Sequence, residues 1–587
     1  MCAIAGLVRY DRPGASSLEE VERMISRQRH RGPDGFGSYA GSHAALGNAR
    51  LSLVDKAGGF QPMVSADGRW AITYNGEVFN YRELRIELRD GWDFRSDCDT
   101  EVVLAAMAVW GPSALHRFNG MFAFFLWDNL TQTGFGARDR LGVKPFAYCF
   151  DEQVFAFASE AKALIGTRRP IADVNAILEY LVAPYFSGVE HTPFASVACL
   201  PPGHCCAIDI NGLCIDRWWR YELHATDPEP RPEELANRIA ESVSRIARTE
   251  HRLASFLSGG LDSTLITALA ARNGGPRPTA YTVQFEDQAH FDYTRSRIVQ
   301  TDDTPFAIRA ARALGVEHHL VHVDRKDLAN DLRALAAIND ALPAWEQELA
   351  QHHLARCAAA ECKVVLVGDA ADETHFGYLF LLDREATRNP AHVVQRFGLP
   401  PIQRNLCPNP LTHFAERYRA VAADAGDDWE TPERGRLAST RLIIERWLPR
   451  LLHNGDIHTM AFSLEARVPF SDSDLLSIAE RVPAAAALDA TTEKKVLREA
   501  ARGLLPEENR IRRKSALPKD QATTGIYQRE AANALRESAR FLSTWLDLDA
   551  LRALCVPGRA LDENERSLLF RVIVLHHWQQ HYDVRTP

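Results

Sequence analysis

The stretch SFLSGGLDSTLITALA, residues 255–270, decides the fold of the larger half of this chain. An apolar run ends at Leu257, two glycines follow, and the sequence passes at once into the 3.6-residue period of a helix. Gly259 and Gly260 let a backbone turn close to a bound group. The hydroxyls of Ser258, Ser263 and Thr264, with the N–H groups of a helix that opens near Leu261, suit an anion of the phosphate type. Asp262 adds a carboxylate fit for Mg2+. A serine-capped, glycine-rich turn is the bland alternative, but strand, loop and helix fall in the order an anion site needs. No Gly-Lys-Ser or Gly-Lys-Thr follows, so this is not the Walker pattern.

Around that loop, RLASFLSGG, PTAYTVQF, HHLVHVD and CKVVLVGD are apolar runs, each followed by a helical pattern such as LITALAAR, FAIRAARALG or LANDLRALAAI. Strand then helix, repeated, predicts an α/β doubly wound parallel sheet whose ligand sits beyond the carboxyl ends of its strands. From about residue 440 onward the helical period dominates. Residues before about 215 read differently. AIAGLVRY, AALGNARLSLVD, WAITYNGEVFN, FAFFLWD, FAYCF and VFAFAS are closely spaced apolar runs broken by Gly, Asp, Asn and Pro. They predict strands stacked into two sheets, with YRELRIELRD and TEVVLAAMAVWG as covering helices. LHATDPEPRPEE, 223–234, is the expected linker.

A chain of 587 residues exceeds a single core, so two domains are expected. The 46% hydrophobic and 25% charged composition is that of an ordinary globular protein. The net charge of -9 is spread along the chain, which argues against nucleic acid and anionic membranes as partners. No stretch approaches the ~20 apolar residues of a membrane span, no signal-peptide pattern opens the chain, and a cytoplasmic location is expected. The eleven cysteines are irregularly spaced and form no zinc pattern.

Cys2 alone suggests a buried thiol. With Met1 removed it carries a thiol and a free α-amine of pKa near ~8, so one residue holds nucleophile and base. Downstream lie RHRGPDGFGSY, GNARLSLVD, GGFQPM, YNGEVFNYRELR, SDCDTEVVL, GMFAFFLWD, ARDRLGVKPFAY and FASEAKALI. In order and spacing these resemble the class II glutamine amidotransferase domain. SGGLDST resembles the pyrophosphate loop of ATP pyrophosphatases, and nearly the whole chain resembles glutamine-hydrolysing asparagine synthetase.

The resemblance implies an α+β N-terminal nucleophile hydrolase sandwich (αββα) over 2–215, a linker over 216–234, and an adenylate-forming synthetase domain over 235–587. It assigns Cys2 as nucleophile, Arg50 to the glutamine carboxylate with Leu51 beside it, Glu77 and Asp99 to the glutamine ammonium, and Asn75 with Gly76 to the oxyanion hole. Asn75-Gly76 alone would read as a hairpin turn. In the second half it implies Leu257 and Val283 at adenine, Gly368 at the ribose edge, and Ser258, Gly259, Gly260, Leu261, Asp262, Ser263 and Thr264 at pyrophosphate. Asp369 stands at the position of the base for ammonia, Lys494 reaches the phosphates, and Asp262 and Asp372 are the Mg2+ candidates. LEARVPFSD (464–472) and RRKSALPKD (512–520) complete the pattern. Glutamine, ATP and an acceptor carboxylate are the expected small-molecule partners, and nothing excludes a homodimer.

Departures gather around the acceptor. The chain reads THFGY at 374–378 where the family commonly shows LFGGY, Ala370 for a glycine, Asp456-Ile457 for Asp-Arg, and ALPAWEQE at 341–348. Extra sequence lies near 287–303 and 385–440. The expected acceptor is therefore a specialised carboxylate. Asparagine synthetase proper, a cyclase and an inactive scaffold stand as alternatives; Cys2 with Arg50 and Asp99 argues against the cyclase, and the intact Cys2, SGGLDST, Asp369 and Lys494 against the scaffold.

Overall fold

The computed structural model describes residues 2–587 apart from 12–17, 54, 56–57, 167–168, 188–189, 224–227, 296–300, 393, 395–397 and 517–518. Met1, and parts of the linker and of the two extra segments, lie outside the described residues.

Strand Cys2–Arg9 runs antiparallel to Ala44–Arg50 on one side and Val154–Ala158 on the other. Gly35–Ala40, Ala147–Asp151 and Ala198–Cys199 complete a six-stranded sheet. Its side chains alternate as a pleat demands. Ala3, Ala5 and Leu7 pack with Val21 and Ile25 of helix Leu18–Arg27, while Ile4 and Val8 turn inward to a core with Phe125 and Trp127. Gly6 lies on the inner face, where a Cβ would fall 2.3 Å from the Phe157 ring, so the tight seam between the sheets requires glycine there.

Phe125 and Trp127 belong to Gly120–Asp128 of the second sheet, which also holds Met63–Val64, Trp70–Val78, Thr133–Arg138, His204–Asp209 and Gly212–Arg217. Helices Tyr81–Leu88 and Asp99–Trp110 bury Leu84, Leu88, Val102 and Val103 against its outer face. The result is the αββα sandwich. Six of its strands carry no long apolar run in the sequence, being short or interrupted by Gly, Cys and polar residues.

The third sheet is parallel throughout, in the order His318–Val323, Thr279–Phe285, Leu253–Phe256, Val364–Leu366, Glu465–Arg467. Its first four strands are those the apolar runs predict. The fifth interrupts the predominantly helical region beyond 440 and is not expected from the sequence: Glu-Ala-Arg shows no strand pattern, yet Arg467 is buried against Glu465, Glu77 and the carbonyls of Ile246 and Arg248. Chain order reverses between Leu253–Phe256 and Val364–Leu366, so the loops beyond these two strands flank the switch point where a ligand binds.

Helix Pro432–Leu442 leads through a π-helical turn, Ile443–Trp447, into helix Leu448–Met460. The last helix, Glu563–Tyr582, opens on an Asp562/Glu565 capping box and packs in a second core with Leu332, Leu335 and Tyr527. No helix among the described residues is long and apolar enough to cross a membrane. The two halves meet through buried ions: Arg31 reaches Asp456 at 2.6 Å and Glu160 at 3.0 Å, Lys144 lies 3.4 Å from Asp456, and Arg467 holds Glu77. Such pairs gain little net stability against desolvation but fix one docking geometry by leaving any other with bare charges.

Candidate active site

Each half holds one candidate site. In the first, strand register sets Cys2 directly opposite Arg50, which places both side chains on one face of the sheet. Cys2 is 4% exposed. Its backbone nitrogen, which becomes the free α-amine once Met1 is lost, donates to Asn75 Oδ1 at 3.1 Å. Asn75 and Gly76 lie inside strand Trp70–Val78 and form no hairpin turn. Asn75 is fully buried and its Nδ2 has no partner, as an oxyanion donor requires before substrate arrives. A Cβ on Gly76 would lie 2.2 Å from Met121 O.

Arg50 Nη2 donates to the Asp55 carbonyl at 2.6 Å, with the Phe60 ring 5.6 Å from the guanidinium. A Cβ at Gly59 would sit 2.5 Å from that same nitrogen, so the glycine of GGFQPM makes room for the arginine. Asp99 accepts from the Tyr74 hydroxyl at 2.8 Å and Val78 N at 3.2 Å, and burial raises its carboxyl above the ordinary range. Glu77 is raised by burial, with Glu465 and Asp99 adding to the effect and Arg467 opposing it. Through Arg467 it also serves the domain interface. Leu51 is buried in the core beneath.

Sequence reasoning overlooked Gln61 and Arg31. Gln61 accepts from Tyr74 N at 2.7 Å, donates to Thr100 Oγ1 at 3.4 Å and brings Nε2 within 3.8 Å of Cys2 Sγ. Arg31 Nε donates to the Cys2 carbonyl at 3.4 Å. Both lie in quoted motifs, but nothing short-range distinguishes them from framework.

The second site is a cavity of about 490 Å³ over the switch point. Leu257, Ser258, Asp262, Ser263, Val283, Gly368, Asp369 and Asp372 line it. Ser258 Oγ and Ser263 Oγ lie 3.0 Å apart at the mouth of helix Leu261–Arg272. The close approach of the two loops depends on Gly368, where a Cβ would sit 3.2 Å from Asp262 Cβ. Other residues of the motif are framework. Gly259, at φ +72, turns its carbonyl to Asn509 and presses on Phe306 and Ala307, while Leu261 and Thr264 are buried behind the loop.

Lys494 is 2% exposed and its Nζ lies 2.6 Å from both Asp262 Oδ2 and Asp372 Oδ1. A left-handed backbone, φ +52, delivers it at the start of helix Lys495–Ala500. Its neighbour Lys495 points out to Asp489. Asp372 is held below the usual carboxylate range: burial would raise it, but Lys494 and Lys514 outweigh that. Asp369 is pushed up to about 6, mainly by burial and secondarily by Asp372 and Asp262, against the pull of Lys514. Lys514, paired with Asp372, and Arg512, which donates to Ser258 O at 3.0 Å and holds Asp303, are further site residues from RRKSALPKD.

Asp262 and Asp372 fit a divalent cation as a pair, Asp262 Oδ1 being buried without a partner. Among the described residues no third His, Cys, Asp or Glu completes a protein-only cage, which suits an ion that shares phosphate oxygens.

Comparison with known proteins gives the family. The profile of the glutamine amidotransferase domain family matches residues 1–219, and that of the asparagine synthase family matches residues 234–580, more than half of the chain. The chain belongs to the asparagine synthase family. Asparagine synthetase [glutamine-hydrolyzing] 3 of Bacillus subtilis (strain 168) is 30% identical to this family member, over 88% of the chain and 87% of its own length. Asparagine synthetase B of Escherichia coli (strain K12) is 28% identical over 65% of each. A relative with a different printed name, Amidase chry2 of Gibberella zeae, is 24% identical over 86% of this chain and 87% of its own. This asparagine synthase family member is a glutamine-dependent amidotransferase, and its family uses ATP.

Proposed function

We propose that this protein converts a specialised carboxylic acid, other than aspartate, into its amide at the expense of glutamine and ATP. Cys2 Sγ attacks the glutamine carboxamide, and its own α-amine, oriented by Asn75 Oδ1, takes the thiol proton and returns one to the departing ammonia. Asn75 Nδ2 and Gly76 N–H hold the oxyanion. Arg50 pairs with the glutamine carboxylate, and Glu77 and Asp99 with its ammonium. Water then frees glutamate from the thioester.

Ammonia must cross the interface unprotonated, since ammonium has no lone pair. In the second cavity Ser258, Ser263 and the helix N-terminus take the phosphates while the acceptor carboxylate attacks the α-phosphorus. Lys494 balances the charge on the leaving pyrophosphate. A Mg2+ ion held by Asp262 and Asp372 would neutralise further phosphate charge when bound. Asp369 takes a proton as ammonia adds to the acyl carbon, and AMP leaves.

The single observation that carries this reading is the pairing of two poised centres: a buried Cys2 under an unpartnered Asn75 Nδ2, and Lys494 bridging the acids over the Ser258–Ser263 loop. The specialised acceptor is supported by the departures at 341–348 and 374–378, since Trp345, Gln347, Gly377 and Tyr378 all line the cavity. The test is glutamine-dependent release of AMP and pyrophosphate across a panel of acids running from aspartate to larger carboxylates and peptide C-termini. Release with larger acids is expected; release with aspartate alone would overturn the specialised acceptor.

A further inference from the structure

Past Asp369 the second cavity runs into a group of aromatic rings for which the steps above have no use. Trp447 is its centre. Its ring stacks with Tyr378 at 5.2 Å and Phe380 at 6.0 Å and meets Tyr185 at 5.0 Å, and Tyr185 in turn stacks on Trp345 at 4.8 Å. All five rings line the cavity, and four of them are only half-buried in the protein. Tyr185 comes from a one-turn 3-10 helix, Pro184–Phe186, within the amidotransferase half. The other four come from the synthetase half, so both halves build this wall.

One helix face joins the rings to the chemistry. Trp447, Leu451, Gly455 and Thr459 follow at four-residue intervals, and all of them line the cavity. Gly455 faces the reacting end: a Cβ there would lie 3.4 Å from Asp369 Oδ2. At ~1.5 Å of rise per residue, the path from Gly455 to Trp447 is about 12 Å. A molecule with its carboxyl near Asp369 must carry an extended body to reach the rings, and a four-carbon diacid falls far short.

The polar groups along this path narrow the class. Gln347 and Gln351, one turn apart on helix Gln347–Ala358, line the same cavity. Gln347 Nε2 and Gln351 Oε1 are buried without partners, and Gln347 is 6% exposed. They offer one donor and one acceptor, the complement of an amide or hydroxyl. The basic side chains among the described lining residues are Arg513 and Lys514, and Lys514 is committed to Asp372. Asp369, Asp372 and Glu373 line the same cavity, Glu373 accepting from the Tyr378 hydroxyl at 2.5 Å. A second carboxylate among the rings would meet Glu373 and the other acids of the cavity, whereas a flat ring stacks on Trp447 and Tyr378.

We propose that the acceptor is a monocarboxylic acid with an aromatic body, its ring held by Trp447, Tyr378, Phe380, Tyr185 and Trp345 and its central polar group by Gln347 and Gln351. This rests on the reading of the second cavity as an adenylation site.

The test is ATP-dependent pyrophosphate release by the full-length protein with glutamine, using aspartate, hexanoate, indole-3-propanoate and N-benzoylglycine as probes. The aromatic acids are expected to give kcat/KM at least tenfold above aspartate and hexanoate. Trp447→Ala and Trp345→Ala are each expected to raise KM for N-benzoylglycine tenfold or more, with KM for ATP moving less than twofold. Should thermal melting show Trp447→Ala to be unfolded, the half-buried Trp345 decides alone. A preference for aspartate or hexanoate, or aromatic KM values unmoved in the folded variants, overturns the proposal and leaves the adenylation reading standing. Glutamate release without pyrophosphate release from any acid overturns both.

Discussion

Replacing Cys2 with alanine is expected to abolish amide formation from glutamine, by about 10⁴-fold or more, while amide formation from added ammonia persists. The asymmetry follows from placement. The substitution keeps the α-amine but removes the attacking sulfur, and with it the covalent route. The Cys2 side chain lies on the sheet face it shares with Arg50, and the second cavity is lined by Ser258, Asp262 and Asp369 of the other half. The pocket left by the thiol is small and the surrounding register is held by backbone pairing, so the fold should survive. Product amide is measured with glutamine and, separately, with ammonium chloride at a pH that leaves some free ammonia. Loss of both activities, or retention of the glutamine-dependent one, would show the nucleophile assignment to be wrong.

Lys494→Met is expected to have the opposite pattern. Pyrophosphate release should fall by about 10²- to 10³-fold, the usual result of removing one fixed partner of transition-state charge, while glutamate release continues. Among the described residues the ion pairs of Lys494 are with Asp262 and Asp372, both in the synthetase half. The substitution also leaves those two buried carboxylates with less compensation. Lys514 still pairs with Asp372, and Asp262, already raised by burial, would move further up. A loss of thermal stability is therefore expected alongside the lost activity, and Lys494→Arg separates the two effects by restoring the charge without the compact ammonium. Recovery of stability without recovery of pyrophosphate release would tie Lys494 to catalysis. Unchanged pyrophosphate release in Lys494→Met would make it framework.

What the sequence made legible follows from how local each signal is. The SGGLDST loop could be read because a strand end, two glycines and a helix start are adjacent in the chain, and the structure puts that loop at a switch point. Strand Glu465–Arg467 was hidden because burial of its charges is arranged by partners far away, Glu77 among them. Gln61 and Lys514 were quoted within motifs, yet their roles depend on contacts with Cys2 and Asp372 that no spacing encodes. Gly259, Leu261 and Thr264 illustrate the reverse: a motif points to a loop as a whole, but packing decides which of its members meet the cavity and which hold the loop in place. The aromatic wall was least visible of all, since Tyr185 and Trp447 meet at 5.0 Å from opposite halves of the chain.

The central claim is that the acceptor carboxylate is activated as an adenylate in the cavity lined by Ser258, Asp262 and Asp369. The most direct measurement uses an acid that supports turnover, labelled with 18O in its carboxylate, with glutamine and ATP, followed by mass analysis of the nucleotide and phosphate products. Attack on the α-phosphorus predicts one 18O in AMP and none in pyrophosphate. Label appearing in inorganic phosphate, with ADP as the nucleotide product, would contradict the account.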